Sequence, residues 1–388
     1  MDWPGLHASS NTSKEKLVGA EYLLRESHAD KVLVHINHPL PQRLTSGSRV
    51  RPYYMCKAFR DIGYEVEVVA GTLWERGRQA YELVRSGRVA EFSFCYAEPS
   101  TYPLNSFIDY TFYLALKARG IPIGLFYRDA YWKFADWFPY HGPKKWLLLF
   151  RYWSDVLFLP KAVSAFFFPS QTMASLFHFS TPKFALPPGG HIFYKNEQAQ
   201  FSPKVERAVY VGGIRQEYGI DLLLDAFDLV NRERKLDLEL VCRKDKYVSL
   251  RSIFGKYVKA KWLHIHHLWG KSLGQVYHRS DIALIPRRKN AYNDLAMPVK
   301  LFEYLSYGLP IIATDCTEMA DFVQRNRIGI VVQDNPLSLA EGVLRITRDQ
   351  GLYRELKRNA KQTLENGNLW TDRAERVAEC LMALDERC

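Results

Sequence analysis

Two patterns of apolar residues alternate along this chain. Short, nearly unbroken apolar runs give way to stretches in which apolar residues return every third or fourth position. Lys31-Val-Leu-Val-His-Ile36 is the first run. A polar loop from Asn37 to Ser48 follows, then a helical stretch from about Arg49 to Ile62, then Gly63 and a second run, Tyr64–Val69. This predicts a β-loop-α-β unit whose loop lies at the carboxyl end of its first strand, where α/β sheets bind ligands. Phe92–Tyr96, Pro122–Tyr127 and Ala165–Phe168 read as further strands, with a helix over Phe107–Ala118. The order begins again at Ala208, with strands expected at Ala208–Val211, Leu238–Cys242, His264–Leu268, Ser280–Pro286, Ile311–Ala313 and Ile328–Val332. Helical stretches separate them at Asp221–Phe227, Pro298–Tyr307, Glu318–Val323 and 336–364, and Trp370–Leu384 closes the chain. Alternation of this kind implies an α/β protein with parallel sheets covered on both faces.

At 388 residues the chain exceeds what one core commonly holds, about 250–300 residues, so two domains are expected. The proline- and glycine-rich stretch Thr181–His191 reads as the exit from the first, giving domains at 1–195 and 205–368 and a terminal helix in 369–388. With 47% hydrophobic and 24% charged residues the composition is that of a folded chain and excludes a disordered one. A net charge of +11 favours an anionic partner without choosing among nucleotide, lipid, glycan and nucleic acid. The six cysteines (Cys56, Cys95, Cys242, Cys316, Cys380, Cys388) lack metal-ligand spacing and predict a reduced, cytoplasmic chain. Met1–Ser13 reads as a loose polar tail, and no apolar stretch reaches the ~20 residues of a spanning helix.

The most informative stretch runs from Asn290 to Asp315: a polar loop, Pro298 opening a short helix, Gly308 ending it, and the strand Ile311-Ile-Ala313. Lys300, Glu303, Tyr304 and Tyr307 share one helix face at i, i+3, i+4 and i+7, while Val299, Phe302 and Leu305 point toward a core. A helix start and a lysine attract phosphate, and a carboxylate one turn on can accept hydrogen bonds from vicinal hydroxyls. The run Met-Pro-x-Lys-x-x-Glu-Tyr-x-x-x-Gly-x-Pro-Ile-Ile-Ala-Thr resembles the donor-binding signature of glycosyltransferases with the GT-B fold, in the group that includes bacterial polysaccharide transferases (family 4-like, group 1). The resemblance implies two Rossmann-like doubly wound domains facing a cleft, with the last helix crossing back to the first domain. By it Glu303 would bind ribose and Lys300 the diphosphate. Where many retaining members carry a second glutamate, this chain has Leu295 with Asp294 beside it, so retention and inversion both stay open.

Other candidates follow the same logic. The resemblance places the first loop in the interdomain cleft, with Gly47, Ser48 and Arg51 near phosphate or acceptor; a solvated loop capped by Ser48 is the alternative. Asp129, just after a buried strand, is the candidate base for the acceptor hydroxyl. Its segment resembles the Tyr-Arg-x-x-Asp stretch of an inverting, membrane-associated bacterial glucuronosyltransferase with the aspartate shifted by two positions. A structural partner for Arg128 or an N-cap is the plainer role for Asp129. Gly212 and Gly213 form a turn that lets a diphosphate approach, with Arg215 standing in for the basic residues of retaining relatives. Arg243 ends a strand, and His267 and Leu268 lie where the family reads the base. His264, His266 and His267 are too close along one strand to ligate one metal, and no Asp-x-Asp occurs, so neither metal nor other cofactor is expected beyond the donor substrate, a UDP- or GDP-sugar for example. Residues 132–168 interleave aromatics with Lys144, Lys145, Arg151 and Lys161, which suits an anionic membrane surface; the strand Ala165–Phe168 reads as core, and an apolar core helix ahead of it is the alternative. No RNA- or DNA-binding motif accompanies them, so nucleic acid is not the expected partner.

The reading is a metal-independent glycosyltransferase. It would move a sugar from a nucleotide-diphosphate donor to a lipid-linked or other glycan acceptor in cell-surface polysaccharide synthesis, peripheral on the inner face of the cell membrane. The rivals are a sugar-nucleotide epimerase of the same fold and a non-catalytic binder of nucleotides or polyanions.

Overall fold

The structure is a computed structural model that describes residues 30–39, 47–104, 106–134, 138–194 and 204–385. The tail Met1–Ser13, most of the loop before Gly47, the side chain of Ser48, Trp137, the 195–203 stretch at the expected boundary and Cys388 lie outside the described residues.

Among the described residues twelve strands form two six-stranded sheets. The first holds β1 (Lys31–Ile36), β2 (Glu65–Ala70), β3 (Phe92–Ala97), β4 (Ile123–Phe126), β5 (Ala165–Phe168) and β6 (Lys183–Ala185), in the order β2-β1-β3-β4-β5-β6. The second holds β7 (Arg207–Val211), β8 (Asp237–Val241), β9 (Leu263–His266), β10 (Ile282–Ile285), β11 (Ile311–Thr314) and β12 (Gly329–Val332), in the order β12-β11-β10-β7-β8-β9. Every pairing is parallel. Strand order reverses between β1 and β3 in one sheet and between β7 and β10 in the other, and those reversals open the crevices in which doubly wound sheets bind ligands.

Strand β6 falls inside the stretch read from sequence as a linker; Lys183-Phe-Ala185 pairs along the edge of β5 before the chain leaves. The helix expected over 336–364 is two helices, Pro336–Arg348 and Gln350–Glu365, because the Asp349 side chain caps the second by accepting from the Leu352 N–H. Helix Leu73–Arg85 escaped the apolar pattern because its outer face is polar; its signal was the capping box of Thr72 and Glu75.

The chain passes between the halves twice, side by side. Gly190 and Leu369 form a parallel bridge, and the Arg373 guanidinium donates to the carbonyls of Pro187, Pro188 and Gly367 and to Asn368 Oδ1. Helix Trp370–Asp385 then packs Ala374, Val377, Ala378 and Leu381 into the apolar group of the first sheet, with Trp370 stacked on Tyr54. The expected crossing back is therefore present.

Candidate functional site

The signature stretch forms the helix Val299–Leu305, seven residues opened by Pro298, and Gly308 takes φ +65° beyond its end. Phe302 and Leu305 are buried, as the spacing required, but Val299 is only half-buried and Leu301 takes the third buried place. Tyr304 is buried too, which corrects its expected place on the cleft face: its hydroxyl accepts the Val211 N–H at 2.9 Å and fastens the helix to β7. The face that remains is compact. Lys300 Nζ reaches Glu303 Oε2 at 2.6 Å, the Tyr277 hydroxyl donates to the same oxygen at 2.8 Å, and Tyr307 lies against the Tyr277 ring. So short a helix has little macrodipole, so the positive charge here comes mainly from side chains.

Beside it, at the reversal between β7 and β10, lies the glycine turn. The Gly212 N–H, just past the end of β7, is already bonded to the Val241 carbonyl and so is not offered to an anion. Gly213 is exposed, and a Cβ there would meet the Tyr218 ring at 2.6 Å. The tightest constraint is Gly219, at φ +71°, where a Cβ would sit 1.6 Å from the Pro286 carbonyl. Arg215 points to solvent at the start of the 3-10 turn Gln216–Tyr218. Sequence reasoning missed three bases in this crevice. Arg287, Arg288 and Lys289 follow β10 after Pro286. Arg288 is bound by Asp221 and Lys289 by Asp315, while Arg287 lies over the Tyr218 ring with a 3.4 Å contact to Asn293 Oδ1. Three consecutive bases at a buried strand's carboxyl end were the available signal.

Further along the same edge, Arg243 is exposed and paired with Asp245, His267 Nδ1 meets the Cys242 carbonyl at 2.9 Å, and Leu268 is exposed beside Trp269. His264 and His266 share one face of β9, His264 near Asp237 and His266 bonded to Glu239, which also takes a two-pronged contact from Arg279, while His267 points away from them. Among the described residues no group of three acidic, histidine or cysteine side chains is placed to hold a metal ion.

Asp129 faces this edge from the first domain. The Tyr292 hydroxyl, on the loop ahead of the signature helix, lies 3.0 Å from each of its carboxylate oxygens, and the Tyr131 N–H donates to Oδ1. Burial pushes the Asp129 carboxyl above the ordinary aspartate value, outweighing the opposing pull of Tyr292 and Tyr131. The Arg128–Asp129 pairing considered from sequence is not the one formed, since Arg128 Nη2 donates to Glu98 Oε1 at 2.7 Å. The same loop explains the departure at the second glutamate position. Leu295 is buried in the first domain's core, and Asp294 Oδ1 accepts the Thr317 N–H. Arg51 lies at the carboxyl edge of the first sheet; Gly47 sits in the helix ahead of it.

Residues 206–349 match the family model described as glycosyl transferases group 1. TuaH of Bacillus subtilis (strain 168), named as a teichuronic acid biosynthesis glycosyltransferase, is 27% identical over 85 residues, 21% of this chain; the chain spans only 21% of that relative's length. Pneumococcal GtfA, an O-GlcNAc transferase solved in complex with UDP and GlcNAc, superposes with a TM-score of 0.66 at 10% identity, over 92% of this chain and 99% of that one. A Listeria monocytogenes protein named as a UDP-N-acetylglucosamine 2-epimerase superposes with a TM-score of 0.56 at 11% identity, over 93% of this chain and 98% of that one. The chain has the GT-B fold, and its second half resembles the group 1 glycosyltransferases.

Within this GT-B frame the aromatic stretch 132–168 divides in two. Trp132, Phe138, Tyr152 and Phe166–Phe168 are core. Helix Gly142–Ala162, however, exposes Trp146 (71%), Phe150 (70%), Trp153 (52%) and Leu157 (70%), which recur at helical spacing along one stripe. No helix among the described residues is long and apolar enough to cross a membrane.

Proposed function

We propose that the chain is a glycosyltransferase that binds a nucleotide-diphosphate sugar on its second domain and an acceptor on its first, acting without a metal. The observation that carries this reading is the Lys300–Glu303 face, set at the β7/β10 reversal with Asp129 opposite. Both described bonds to Glu303 fall on Oε2, so Oε1 keeps its capacity to accept the hydroxyls of a ribose. Lys300 and Arg287 supply positive charge to the diphosphate as it departs. The base would lie beside Leu268 and Trp269. Asp129, ionised and relieved of Tyr292, takes the acceptor hydroxyl proton while that oxygen bonds to the anomeric carbon and the carbon–oxygen bond to the diphosphate breaks. This single displacement inverts the anomeric centre. It fits the placement of Asp294 as a cap and of Leu295 in the core.

The exposed Trp146–Leu157 stripe, flanked by Lys144, Lys145, Arg151 and Lys161, suits the surface of an anionic membrane. A lipid-linked glycan acceptor of cell-surface polysaccharide synthesis, met on the inner face of the cell membrane, follows from that surface and from the name of TuaH. The fold likeness to the epimerase keeps a second reading in view, one that turns over the donor with no acceptor present.

Saturation-transfer NMR with UDP, GDP, ADP and dTDP tests the donor site. Saturation of one nucleotide's ribose protons, lost in Lys300→Ala and Glu303→Ala, supports it. No binding of any of the four to folded wild type overturns it.

A further inference from the structure

The loop ahead of the signature helix belongs to the second domain and reaches into the first. Its own domain holds it stiffly. Asn290 Oδ1 accepts the N–H groups of Tyr292 and Asn293. Asn293, 1% exposed, donates from Nδ2 to the Arg288 carbonyl at 2.7 Å and to the Glu217 carbonyl at 3.3 Å. Asp294 Oδ1 accepts the Thr317 N–H at the start of the helix Thr317–Arg325. With these polar groups bonded inside the second domain, the loop enters and leaves the first as one body.

To the first domain it presents one apolar plug and a few directed bonds. Leu295 is buried among the first domain's apolar side chains, and its carbonyl accepts the Ser170 hydroxyl at 2.8 Å. The Thr172 N–H, in the helix Gln171–Ser175, crosses to Glu318 Oε1 of the second domain at 2.9 Å, whereas the neighbouring Met173 N–H stays at home on Ser170 Oγ. The Tyr292 ring meets Phe134, and its hydroxyl stands 3.0 Å from each Asp129 oxygen. Burial first and the Asp129 charge second push this phenol's pKa up, so it stays protonated and donates. A donating hydroxyl there fills the place that an acceptor hydroxyl needs. One buried leucine side chain favours the engaged state by about tenfold or more, an amount that a bound substrate can reverse.

We propose that the loop 290–296 is an autoinhibitory latch. Engaged, it ties the domains together through Leu295 and the adjoining Glu318, and it covers Asp129 with the Tyr292 hydroxyl. Released, it opens Asp129 to an acceptor. The covering of Asp129 bears on catalysis only through the transfer reading above; the latch itself stands on the contacts between the domains.

Two readouts on the full chain test this, and neither needs a substrate. Hydrogen exchange at the Thr172 amide reports engagement, because its partner lies in the other domain. Carbodiimide coupling of glycinamide, mapped by mass spectrometry, reports access to Asp129, with Asp109 and Asp155, buried inside the first domain, as internal controls. Leu295→Ala is expected to speed Thr172 exchange about tenfold and Asp129 coupling several-fold, while Asp109 and Asp155 stay uncoupled. Glu318→Ala removes no buried apolar group and keeps the test open should Leu295→Ala fail to fold; it is expected to speed Asp129 coupling likewise. Thr172 exchange at the free-peptide rate in wild type, or unchanged exchange in folded Leu295→Ala, overturns the proposal. Unchanged Asp129 coupling in the folded variants leaves Tyr292 no gating role and also overturns it. Coupling that spreads to Asp109 and Asp155 means a general loosening of the first domain, which overturns it too. If no nucleoside diphosphate binds but both readouts respond as expected, the latch stands and the transfer reading alone falls.

Discussion

Asp129 combines two demands that pull against each other. As the proposed base it has to be basic enough to take a proton, and burial raises its pKa in that direction, yet the Tyr292 hydroxyl holds both its oxygens and opposes that rise. A carboxyl whose folded pKa is raised loses its charge at a higher pH than an ordinary aspartate. The acidic limb of kcat is therefore expected above the usual aspartate range, and Tyr292→Phe should move it further upward. Asp129→Asn is expected to lower kcat by about 10²–10⁴-fold while leaving nucleoside diphosphate binding intact, which parallel kinetics and NMR titration would check. Asp109 shows the opposite shift. Burial pushes its carboxyl up, but the bonds from His35 and Arg76 outweigh that and hold it well below the ordinary value. A depressed folded pKa means stability that is present above the ordinary aspartate pKa and lost as pH falls below it. Asp109→Asn should therefore destabilise the fold at neutral pH by about 3–5 kcal/mol, because Arg76 is left buried and unpaired. The difference from wild type should shrink in acid, as urea unfolding across pH would show.

Among the elements, the signature helix was readable because its ends are chemical. Pro298 cannot donate a backbone N–H and Gly308 accepts φ +65°, so both boundaries follow from local rules. Its inner face was less readable: Tyr304 follows Glu303 on the same spiral, and only the approach of β7 sends its hydroxyl to Val211. Arg287–Lys289 passed unnoticed because bases in a loop usually mean solvent, and it is the β7/β10 reversal that gathers them around the glycine turn. The paired crossings near Gly190 and Leu369 depend on Arg373. Arg373→Met leaves four acceptors without their donor and is expected to lower unfolding free energy on the order of 3 kcal/mol, with a matching shift in the denaturant midpoint.

At the scale of the whole molecule, one face of the first domain carries the exposed stripe of helix Gly142–Ala162, and an exposed Phe107 lies on the helix packed beside it. Replacing Trp146, Phe150 and Trp153 together by serine should abolish sedimentation with anionic vesicles while donor binding stays as in wild type. Raised salt should weaken vesicle binding of the unmutated chain, because basic side chains contribute part of the attraction. Sequence alone determined what depends on near neighbours: the strand-helix alternation, the proline and glycine boundaries, the Lys300–Glu303 spacing and the aromatic-basic character of 132–168. Tertiary structure decided what depends on residues far apart in the chain. It split 132–168 into core and surface, tied the Gly212 N–H to the Val241 carbonyl, sent Leu295 into the other domain's core and set Tyr292 on Asp129 across 163 positions. The physical reason is one of range. Backbone propensity and side-chain period act over a few residues, whereas burial and charge pairing are fixed only when two sheets and their loops close on one another.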